Sequence, residues 1–369
     1  MEHCLKPSRI AIVGAGPSGM YCALNILSKF KELSFNNYKL TVFDKAPALR
    51  TLLPTGNGRC NITNSIPDVR EFCANYPRGE KFLYSIFSKH FSFDSLDFFN
   101  SIGIKTYVQD DGRIFPVSNS AKDVKDKMLN EFFKYKNAKL SNKKIESRAD
   151  LKDFDFIVIA CGSRGVDNLI SSFNHSVVDF KPALCALNIE NNIYPKGVSV
   201  QSLDGDFIFT DKGISGPLAF KISSINSRKT LPYEIKIRLF DVQNLIDEIK
   251  LNPKKSITNI LSKFVPKSLA QALVQDDDKN CCEVSKLKLE EYSNLNLKVV
   301  SHGLNGEIVN SGGVKLDELD KNCRSKIHNN LWFCGEILDI DGFCGGFNLQ
   351  NCWSSAYCVA QDVVKSCLG

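Results

Sequence analysis

The pattern of hydrophobic and polar positions at the start of the chain predicts a strand, a helix and a second strand. Residues 9–13 have the pattern of a short buried strand whose apolar run, residues 10–13, ends at a glycine, and a mostly apolar stretch of helical character extends from residue 20 to about residue 33. Residues 39–43, which include apolar residues at 40, 42 and 43, predict the next strand. This order predicts a βαβ unit, the building block of parallel sheets.

Further along the chain the pattern changes twice. Residues 156–160 are apolar and run into a turn of small residues, whereas residues 184–245 contain short alternating or apolar runs such as 233–239. Residues 254–290 have an amphipathic helical pattern, with the polar patch 276–280 as a turn, and a last helix extends to about residue 366. The chain therefore combines an α/β part with a β-rich segment and a small helical segment.

Length and charge are those of a globular protein. The 369 residues correspond to about two or three domains. The net charge of +6 arises from 47 basic and 41 acidic residues that are interleaved, so no nucleic-acid partner is expected. Gly14 interrupts the first apolar run, and no run approaches the ~18 residues of a membrane span. We therefore expect neither a signal peptide nor a membrane partner, and a cytoplasmic location.

The 14 cysteines contain no Cys-x-x-Cys pair. This spacing is the usual signature of thiol redox sites and is common among zinc ligands. We therefore predict no metal site, and we interpret most of the cysteines as small buried hydrophobic residues.

A glycine-rich turn joins the first strand to the first helix. The sequence from Gly14 to Gly19 has the form G-x-G-x-x-G in the strand–turn–helix context that a dinucleotide-binding fingerprint requires. Gly14 allows the tight turn, Gly16 allows the backbone to approach a pyrophosphate, and Gly19 allows close packing of helix and strand. Asp44 ends the second strand, where an acidic residue can bind ribose hydroxyls. This fingerprint does not distinguish NAD from FAD.

Further segments carry a resemblance to a known family. The chain resembles the aminoacetone oxidase-like family of FAD-binding oxidoreductases, which includes many bacterial flavoproteins. The matching motifs occur in family order and span nearly the whole chain. They are TGxGRCNxTN at residues 55–64, GRxFPxS at 112–118, FTxxGxSGP at 209–217, GGVxxxEI–SK loosely at 312–326, and GExLDxDGxxGGxNLQ at 335–350.

The resemblance implies an α/β flavoprotein of the two-dinucleotide-binding type. Its Rossmann-like FAD-binding domain would be discontinuous, formed by residues 1–183 and 311–369. Residues 184–310 would form an inserted β-barrel-like subdomain with a small helical cap, which would contact the substrate. The implied cofactor is FAD, and the implied partner is a small-molecule substrate. The sequence does not indicate an oligomeric state.

The resemblance also assigns residues to the cofactor and to the substrate pocket. Candidates for the pocket are Arg113, Asp211 and Ser215, although many relatives carry His at the position of Asp211. The residues implied to hold FAD are Gly14, Ala15, Gly16, Pro17, Ser18, Gly19, Asp44, Lys45, Thr55, Gly56, Gly58, Arg59, Cys60, Asn61, Thr63, Asn64, Ala160, Cys161, Gly162, Gly335, Glu336, Asp341, Gly345, Gly346, Phe347, Asn348 and Leu349.

Two side chains leave alternatives open, and no catalytic residue is assigned. Arg59 is expected either to meet a phosphate or the flavin edge, or to hydrogen-bond carbonyl groups of its own loop. Cys60 is either a nucleophile or a residue without a catalytic role. It has no histidine nearby in sequence, and the five histidines form no obvious constellation.

The chemistry also has alternatives. The chain has no second G-x-G-x-x-G in a strand–helix context, so a built-in NAD(P)H domain is not predicted. We expect hydride transfer at a flavin, either to oxidise a small amine or to reduce an unsaturated substrate with electrons from transiently bound NAD(P)H. A non-catalytic flavin-binding role and RNA modification are alternative hypotheses.

Overall fold

The computed structural model describes residues 6–163, 167–275, 278–303 and 309–369. The chain folds into two compact units. The discontinuous unit consists of Met1–Phe180 and Ser311–Gly369, and the inserted unit consists of Lys181–Asn310. Residues 276 and 277 of the predicted polar turn lie outside the described residues.

The α-helices differ widely in length. The two long ones, near the N-terminus and at the C-terminus, belong to the discontinuous unit. In chain order the helices of the described residues are α1 (Pro17–Glu32), α2 (Val69–Cys73), α3 (Glu80–Phe87), α4 (Ser92–Ser101), α5 (Ala121–Phe132), α6 (Asp167–Ser171), α7 (Pro217–Asn226), α8 (Val242–Leu251), α9 (Ile257–Leu261), α10 (Lys267–Val274), α11 (Lys286–Tyr292) and α12 (Phe347–Leu368).

The β-strands are short, and most have six residues or fewer. In chain order the strands of the described residues are β1 (Ser8–Val13), β2 (Tyr38–Phe43), β3 (Thr63–Asn64), β4 (Thr106–Val108), β5 (Arg113–Pro116), β6 (Ala138–Ser141), β7 (Phe156–Ile159), β8 (Val177–Ala183), β9 (Leu187–Ile189), β10 (Ser199–Ser202), β11 (Gly205–Phe209), β12 (Gly213–Ser215), β13 (Tyr233–Arg238), β14 (Asn294–His302), β15 (Val309–Val314) and β16 (Leu331–Phe333).

A five-stranded parallel sheet forms the centre of the discontinuous unit. Its strand order is β16-β7-β1-β2-β6, and β1 pairs with β2 and β7 in parallel register. The last four residues of β1 are all buried, as expected for a parallel strand covered on both faces. This topology confirms the predicted α/β fold of Rossmann type.

Helices α1 and α12 pack closely against each other in this unit. Helix α1 begins with a proline at its first position, where the missing N–H has no cost, and Met20, Ile26, Leu27 and Phe30 are buried. A separate three-stranded sheet, in the order β3-β5-β4, begins at the end of the 55–64 loop, because β3 consists of Thr63 and Asn64. The sequence predicted α1 and α12 because each keeps its apolar residues on helical spacing.

The inserted unit is built on a six-stranded antiparallel sheet with its own hydrophobic core. The strand order is β10-β11-β12-β9-β14-β13. The sheet curls back on itself, so that its two edges meet at one place. There the Leu203 amide, in the turn between β10 and β11, donates to the Arg238 carbonyl at the end of β13. Helix α7 packs on β11, and α8–α11 form the small helical part. Strands β8 and β15 pair in a two-stranded sheet.

No helix in the described ranges has the length and apolarity needed to cross a bilayer.

Candidate functional site

The glycine turn between β1 and α1 contains two glycines that packing requires and one that it does not. Gly14 has φ +108°, and a Cβ there would lie 2.3 Å from the carbonyl oxygen of Ala160. A Cβ on Gly19 would lie 1.9 Å from the Gly14 carbonyl oxygen. A Cβ on Gly16 would meet only the Thr51 hydroxyl, at 3.4 Å. Gly16 therefore leaves open space in front of the first turn of α1, where amides and the helix dipole favour a phosphate.

Asp44 lies beside a cavity at the carboxyl ends of β1, β2 and β6. Its two carboxylate oxygens accept hydrogen bonds from the amides of Ala15 and Ala46, each at 2.8 Å. The cavity has a volume of about 280 Å³ and is also lined by Lys45 and Asn142. Ligands of open α/β sheets bind at this edge of the sheet. Asp44 and Lys45 therefore line this cavity together with Ala15 of the glycine turn.

The 55–64 loop is held in a tight conformation by its own residues. Gly56 and Cys60 both have positive φ, and a Cβ on Gly56 would lie 2.6 Å from the Asn61 amide. The Thr55 hydroxyl donates to the Leu52 carbonyl at 2.6 Å. Cys60 is fully buried, and burial raises the pKa of its thiol to about 12. A buried thiol with a raised pKa ionises less readily near neutral pH, which argues against a nucleophilic role of Cys60.

Two asparagines of this loop join it to the turn before α12. Asn64 donates to the Gly345 carbonyl at 3.0 Å. With its amide oriented to satisfy its neighbours, Asn61 accepts from the Gly346 amide at 2.9 Å and donates to the Thr63 carbonyl at 3.0 Å. Both side chains were expected to hold FAD. In the structure their amide groups connect two glycine-rich loops.

The turn before α12 is also stabilised from within. Asn348 accepts from the Gly342 amide and donates to the Gly342 carbonyl, both at 2.8 Å. Phe347 is buried, and its carbonyl accepts from the Tyr76 hydroxyl at 2.6 Å. Gly346 caps the helix with φ +94°. The backbone amides of Phe347 and Leu349 belong to the first helical turn, where amides have no partner within the helix.

Asp341 is occupied by a buried ion pair. Its carboxylate is fully buried and forms a bidentate pair with Arg78, whose side chain is 12% exposed. When a charged pair is buried away from water, the loss of one partner leaves the charge of the other uncompensated. Asp341 therefore neutralises a buried guanidinium, which the sequence analysis did not foresee because Arg78 lies 263 residues away.

Gly335 and Ala160 bring the ends of β16 and β7 close to the glycine turn. A Cβ on Gly335 would lie 2.3 Å from the Ser18 hydroxyl, and the Gly335 amide donates to Ser355 at 3.0 Å. Glu336 is half-buried next to it. Cys161 is half-buried, and burial raises the pKa of its thiol to about 12. Gly162 follows with φ +71° and no atom within 4 Å of an added Cβ.

Two arginines lie against the same buried phenylalanine. The Arg59 guanidinium is 4.2 Å from the centre of the Phe115 ring, and that of Arg113 is 5.6 Å from it. Arg113 forms an ion pair with Asp111 at 2.7 Å. Arg59 donates to the Gly56 carbonyl at 3.3 Å, and none of the described carboxylates forms an ion pair with it. Arg59 is thus a half-buried cation whose charge is not neutralised.

The pocket candidates are divided between the two units. Arg113 belongs to the discontinuous unit, whereas Asp211 and Ser215 belong to the inserted unit. Asp211 is exposed and pairs with Lys196 at 2.8 Å. Ser215 ends β12 directly before the Gly216 cap of α7.

A Ser–His–Glu chain in the discontinuous unit has a structural role. His175 contacts Glu318 through Nδ1 and Ser325 through Nε2, each at 2.7 Å. The Ser325 hydroxyl also accepts from the amides of Ile327 and His328, and Ser325 is 4% exposed. An oxygen that already accepts two N–H groups in a buried position is not a nucleophile. In the described part of the chain, no group of three or more His, Cys, Asp or Glu residues could hold a metal ion.

Comparison with known proteins gives one family and several relatives. A family model described as HI0933-like protein Rossmann domain matches residues 8–362. A ribosomal RNA dihydrouridine synthase of Escherichia coli (strain K12) is 27% identical over 405 residues, covering 96% of this chain and 98% of the relative. A 3-dehydro-bile acid delta(4,6)-reductase of Clostridium scindens is 25% identical over 419 residues, covering 97% and 99%. A ribosomal RNA dihydrouridine synthase of Haemophilus influenzae is 23% identical over 409 residues, covering 96% and 98%.

Proposed function

Because this chain belongs to the HI0933-like Rossmann-domain family, we propose that it is an FAD-dependent reductase that adds two hydrogens across a carbon–carbon double bond. The names of the relatives support this choice over amine oxidation. Dihydrouridine synthesis saturates a ring double bond next to a carbonyl group, and a delta(4,6)-reductase acts on ring double bonds of a 3-oxo compound. Both substrates accept a hydride on one carbon and a proton on the neighbouring carbon.

The observation that carries the FAD assignment is the space at Gly16, next to the cavity beside Asp44. The glycine turn can take the pyrophosphate in front of α1, and the 280 Å³ cavity can take the adenosine, with Asp44 near the ribose. Five buried side-chain polar atoms have no hydrogen-bond partner among the described residues, and two of them are the Thr63 hydroxyl and the Asn351 side-chain oxygen. Thr63 adjoins Gly346, and Asn351 follows on the second turn of α12. The residues present therefore fit this cofactor.

When bound, FAD supplies the hydride chemistry at its ring. The protein supplies position and charge. The first-turn amides and positive dipole end of α12 can stabilise negative charge on a bound ring. Arg59 adds a cation that no described carboxylate neutralises. Glu336, Ala160 and Gly162 line the neighbouring strand ends.

We propose a uridine in ribosomal RNA as the first substrate to test, because two of the relatives carry that name. The modest, interleaved charge of the chain favoured a small molecule and no nucleic acid. A small conjugated enone is therefore the second candidate, supported by the name of the bile acid reductase. Transiently bound NAD(P)H is the electron donor in either case.

The first experiment is an absorption spectrum of the purified protein, followed by release and identification of the chromophore. We expect FAD. A colourless protein that does not take up added FAD would overturn the proposal. Next, the holoenzyme is reduced anaerobically with NADH or NADPH, and its reoxidation is followed with ribosomal RNA lacking dihydrouridine, with a small enone and with oxygen alone. Faster reoxidation with RNA or the enone, together with the saturated product, supports a reductase. Reduction of the flavin by small amines alone would favour an oxidase instead.

A further inference from the structure

The curled sheet of the inserted unit has a seam between its two edge strands, β10 and β13. The edges meet at one place, where the turn at Leu203 and Asp204 contacts Arg238. Beside this contact lies a groove of about 500 Å³, which is within the range of ligand pockets. All of its lining residues belong to the inserted unit.

The edge of β13 that borders the groove carries unpaired backbone groups. Leu239, just after the strand, donates to Ser293 on the side of β14, whereas the backbone groups of Arg238 face away and bond to Leu203 and Asp204. Backbone groups alternate sides along a strand, so those of Glu234 and Lys236 also face away from β14. No described residue pairs with them. They form a short, open edge that can accept another strand.

The floor of the groove is an apolar face of α7. Leu218, Ile222 and Ile225 follow one another at spacings of four and three residues, so they share one side of the helix. Ile225 is 52% exposed, although it belongs to an otherwise well-packed helix. An open strand edge next to an apolar helix face is the geometry of peptide recognition by strand addition.

The charges of the groove select among possible occupants. Lys221 and Lys236 lie on its rim, and Arg238 is paired with Asp204. Three of the four charged residues that line the groove are basic, so the formal charge of its lining is positive and complements an acidic partner. None of the lining residues is aromatic, so the groove lacks the stacking surfaces typical of single-stranded nucleic-acid sites.

We propose that this groove binds an extended acidic segment of a partner protein, which adds a strand to β13. Apolar side chains at alternate positions of the segment would contact Ile222 and Ile225. Acidic side chains at the intervening positions would lie beside Lys236 on the outer face, because side chains alternate between the faces of a sheet. This surface is separate from the residues proposed to hold FAD, all of which belong to the discontinuous unit.

The test begins with a phage-displayed library of random decapeptides, selected on the full-length holoenzyme. The Lys236→Pro variant is kept out of the selection and is used for the affinity measurements that follow. Proline is tolerated at an edge position whose N–H faces outward, so this variant removes a docking hydrogen bond while preserving the pairing with β14. We expect enrichment of peptides with alternating apolar and acidic residues. Failure to enrich such peptides would overturn the proposal.

Affinities of an enriched peptide are then measured by fluorescence polarisation. We expect at least tenfold weaker binding to Lys236→Pro and to Ile225→Glu, which places a negative charge on the exposed floor. The matched control Ile193→Glu changes an exposed isoleucine of the same unit outside the groove and should leave binding unchanged. Ile225→Glu keeps the test valid if the proline variant does not fold. Equal binding to all variants would contradict strand addition.

Two other occupants are distinguished in the same experiments. A dimer seen by sedimentation velocity and abolished by Lys236→Pro would assign the groove to a second copy of the chain. Displacement of the peptide by an oligouridine RNA would assign it to nucleic acid. Either result would overturn the proposal. FAD content and reduction by NAD(P)H should remain at wild-type levels in every variant, so failure here is distinct from failure of the proposed function.

Discussion

The side-chain amide of Asn64 donates a hydrogen bond of 3.0 Å to the carbonyl oxygen of Gly345, 281 residues further along the chain. Beside it, Gly346 approaches Thr63 so closely that a Cβ on the glycine would lie 2.4 Å from the Thr63 carbonyl oxygen. The indole N–H of Trp353 donates to the Ile62 carbonyl at 2.9 Å. The 55–64 loop and the start of α12 therefore form one connected structure.

This connection predicts the effect of Asn64→Ala. The substitution leaves the Gly345 carbonyl without its partner, and we expect a loss of about 1–2 kcal/mol in the free energy of unfolding. The affinity for FAD should fall as well, because the loop loses its fixed position relative to α12. Urea denaturation of the apoprotein and FAD titration measure the two effects. Asn130→Ala, at a position of α5 outside this connection, is the control and should change neither quantity.

Two glycines of the turn between β1 and α1 should have different roles, ligand binding for Gly16 and packing for Gly19. We expect Gly16→Val to fold with a wild-type melting temperature as apoprotein but to retain no FAD, because its side chain occupies the space in front of α1. Gly19→Val should instead fail to fold or melt at a much lower temperature, since its Cβ would lie 1.9 Å from a backbone oxygen. Thermal melts with and without FAD distinguish the two. Normal FAD content in a folded Gly16→Val protein would contradict the phosphate site.

The sequence predicted those parts of the fold that depend on neighbouring residues. The strand before Gly14, the fingerprint, α1 and Asp44 are contiguous, and the apolar spacing that defines them is local.

The contacts that connect distant segments could not be predicted in this way. Asn61 and Asn64 lie in a motif that indicates a ligand loop, and nothing in that motif indicates that their partners are Gly346 and Gly345. Arg78 and Asp341 have no local signal at all. The free edge of β13 follows from the order of the strands and from the curl of the sheet, which alternation along one strand does not define.

The buried pair of Arg78 and Asp341 predicts a strong, non-additive effect. Asp341→Leu alone removes the carboxylate that pairs with the buried Arg78 guanidinium, and we expect a loss of about 3–5 kcal/mol in stability. The double variant Arg78→Met, Asp341→Leu removes both charges and should recover much of this loss. A double-mutant cycle in urea measures the coupling energy. Additive single effects would show that the pair contributes little as a pair.

His90 predicts a pH dependence of stability. It is buried, with its ring 4.2 Å from that of Tyr357, and its Nε2 contacts the Tyr21 hydroxyl at 2.8 Å. Burial lowers the pKa of His90 from 6.5 to about 4. The unfolded chain therefore binds a proton that the folded protein does not, so stability is complete above pH 6.5 and falls as the pH decreases towards 4.

The decrease in unfolding free energy that protonation of His90 causes at low pH has an upper limit of about 3 kcal/mol. We expect the unfolding free energy of His90→Gln to decrease less than that of the wild type between about pH 7 and pH 4.5. Part of the dependence should persist, because burial also lowers the pKa values of His175 and His302. Parallel pH profiles of the two proteins would show that His90 does not titrate in this range.

Arg59 provides the most direct test of the flavin side of the site. Arg59→Met keeps a long apolar side chain against Phe115 and removes the charge. We expect stability to change by no more than about 1 kcal/mol, the strength of an exposed cation–π contact. FAD should bind about 10- to 100-fold more weakly, because a hydrogen bond from a charged group contributes about 1.5–3 kcal/mol. Arg113→Met is the matched control, since its guanidinium lies against the same ring but is paired with Asp111. Lower stability with unchanged FAD affinity would instead make Arg59 a loop-stabilising residue, bound to the Gly56 carbonyl.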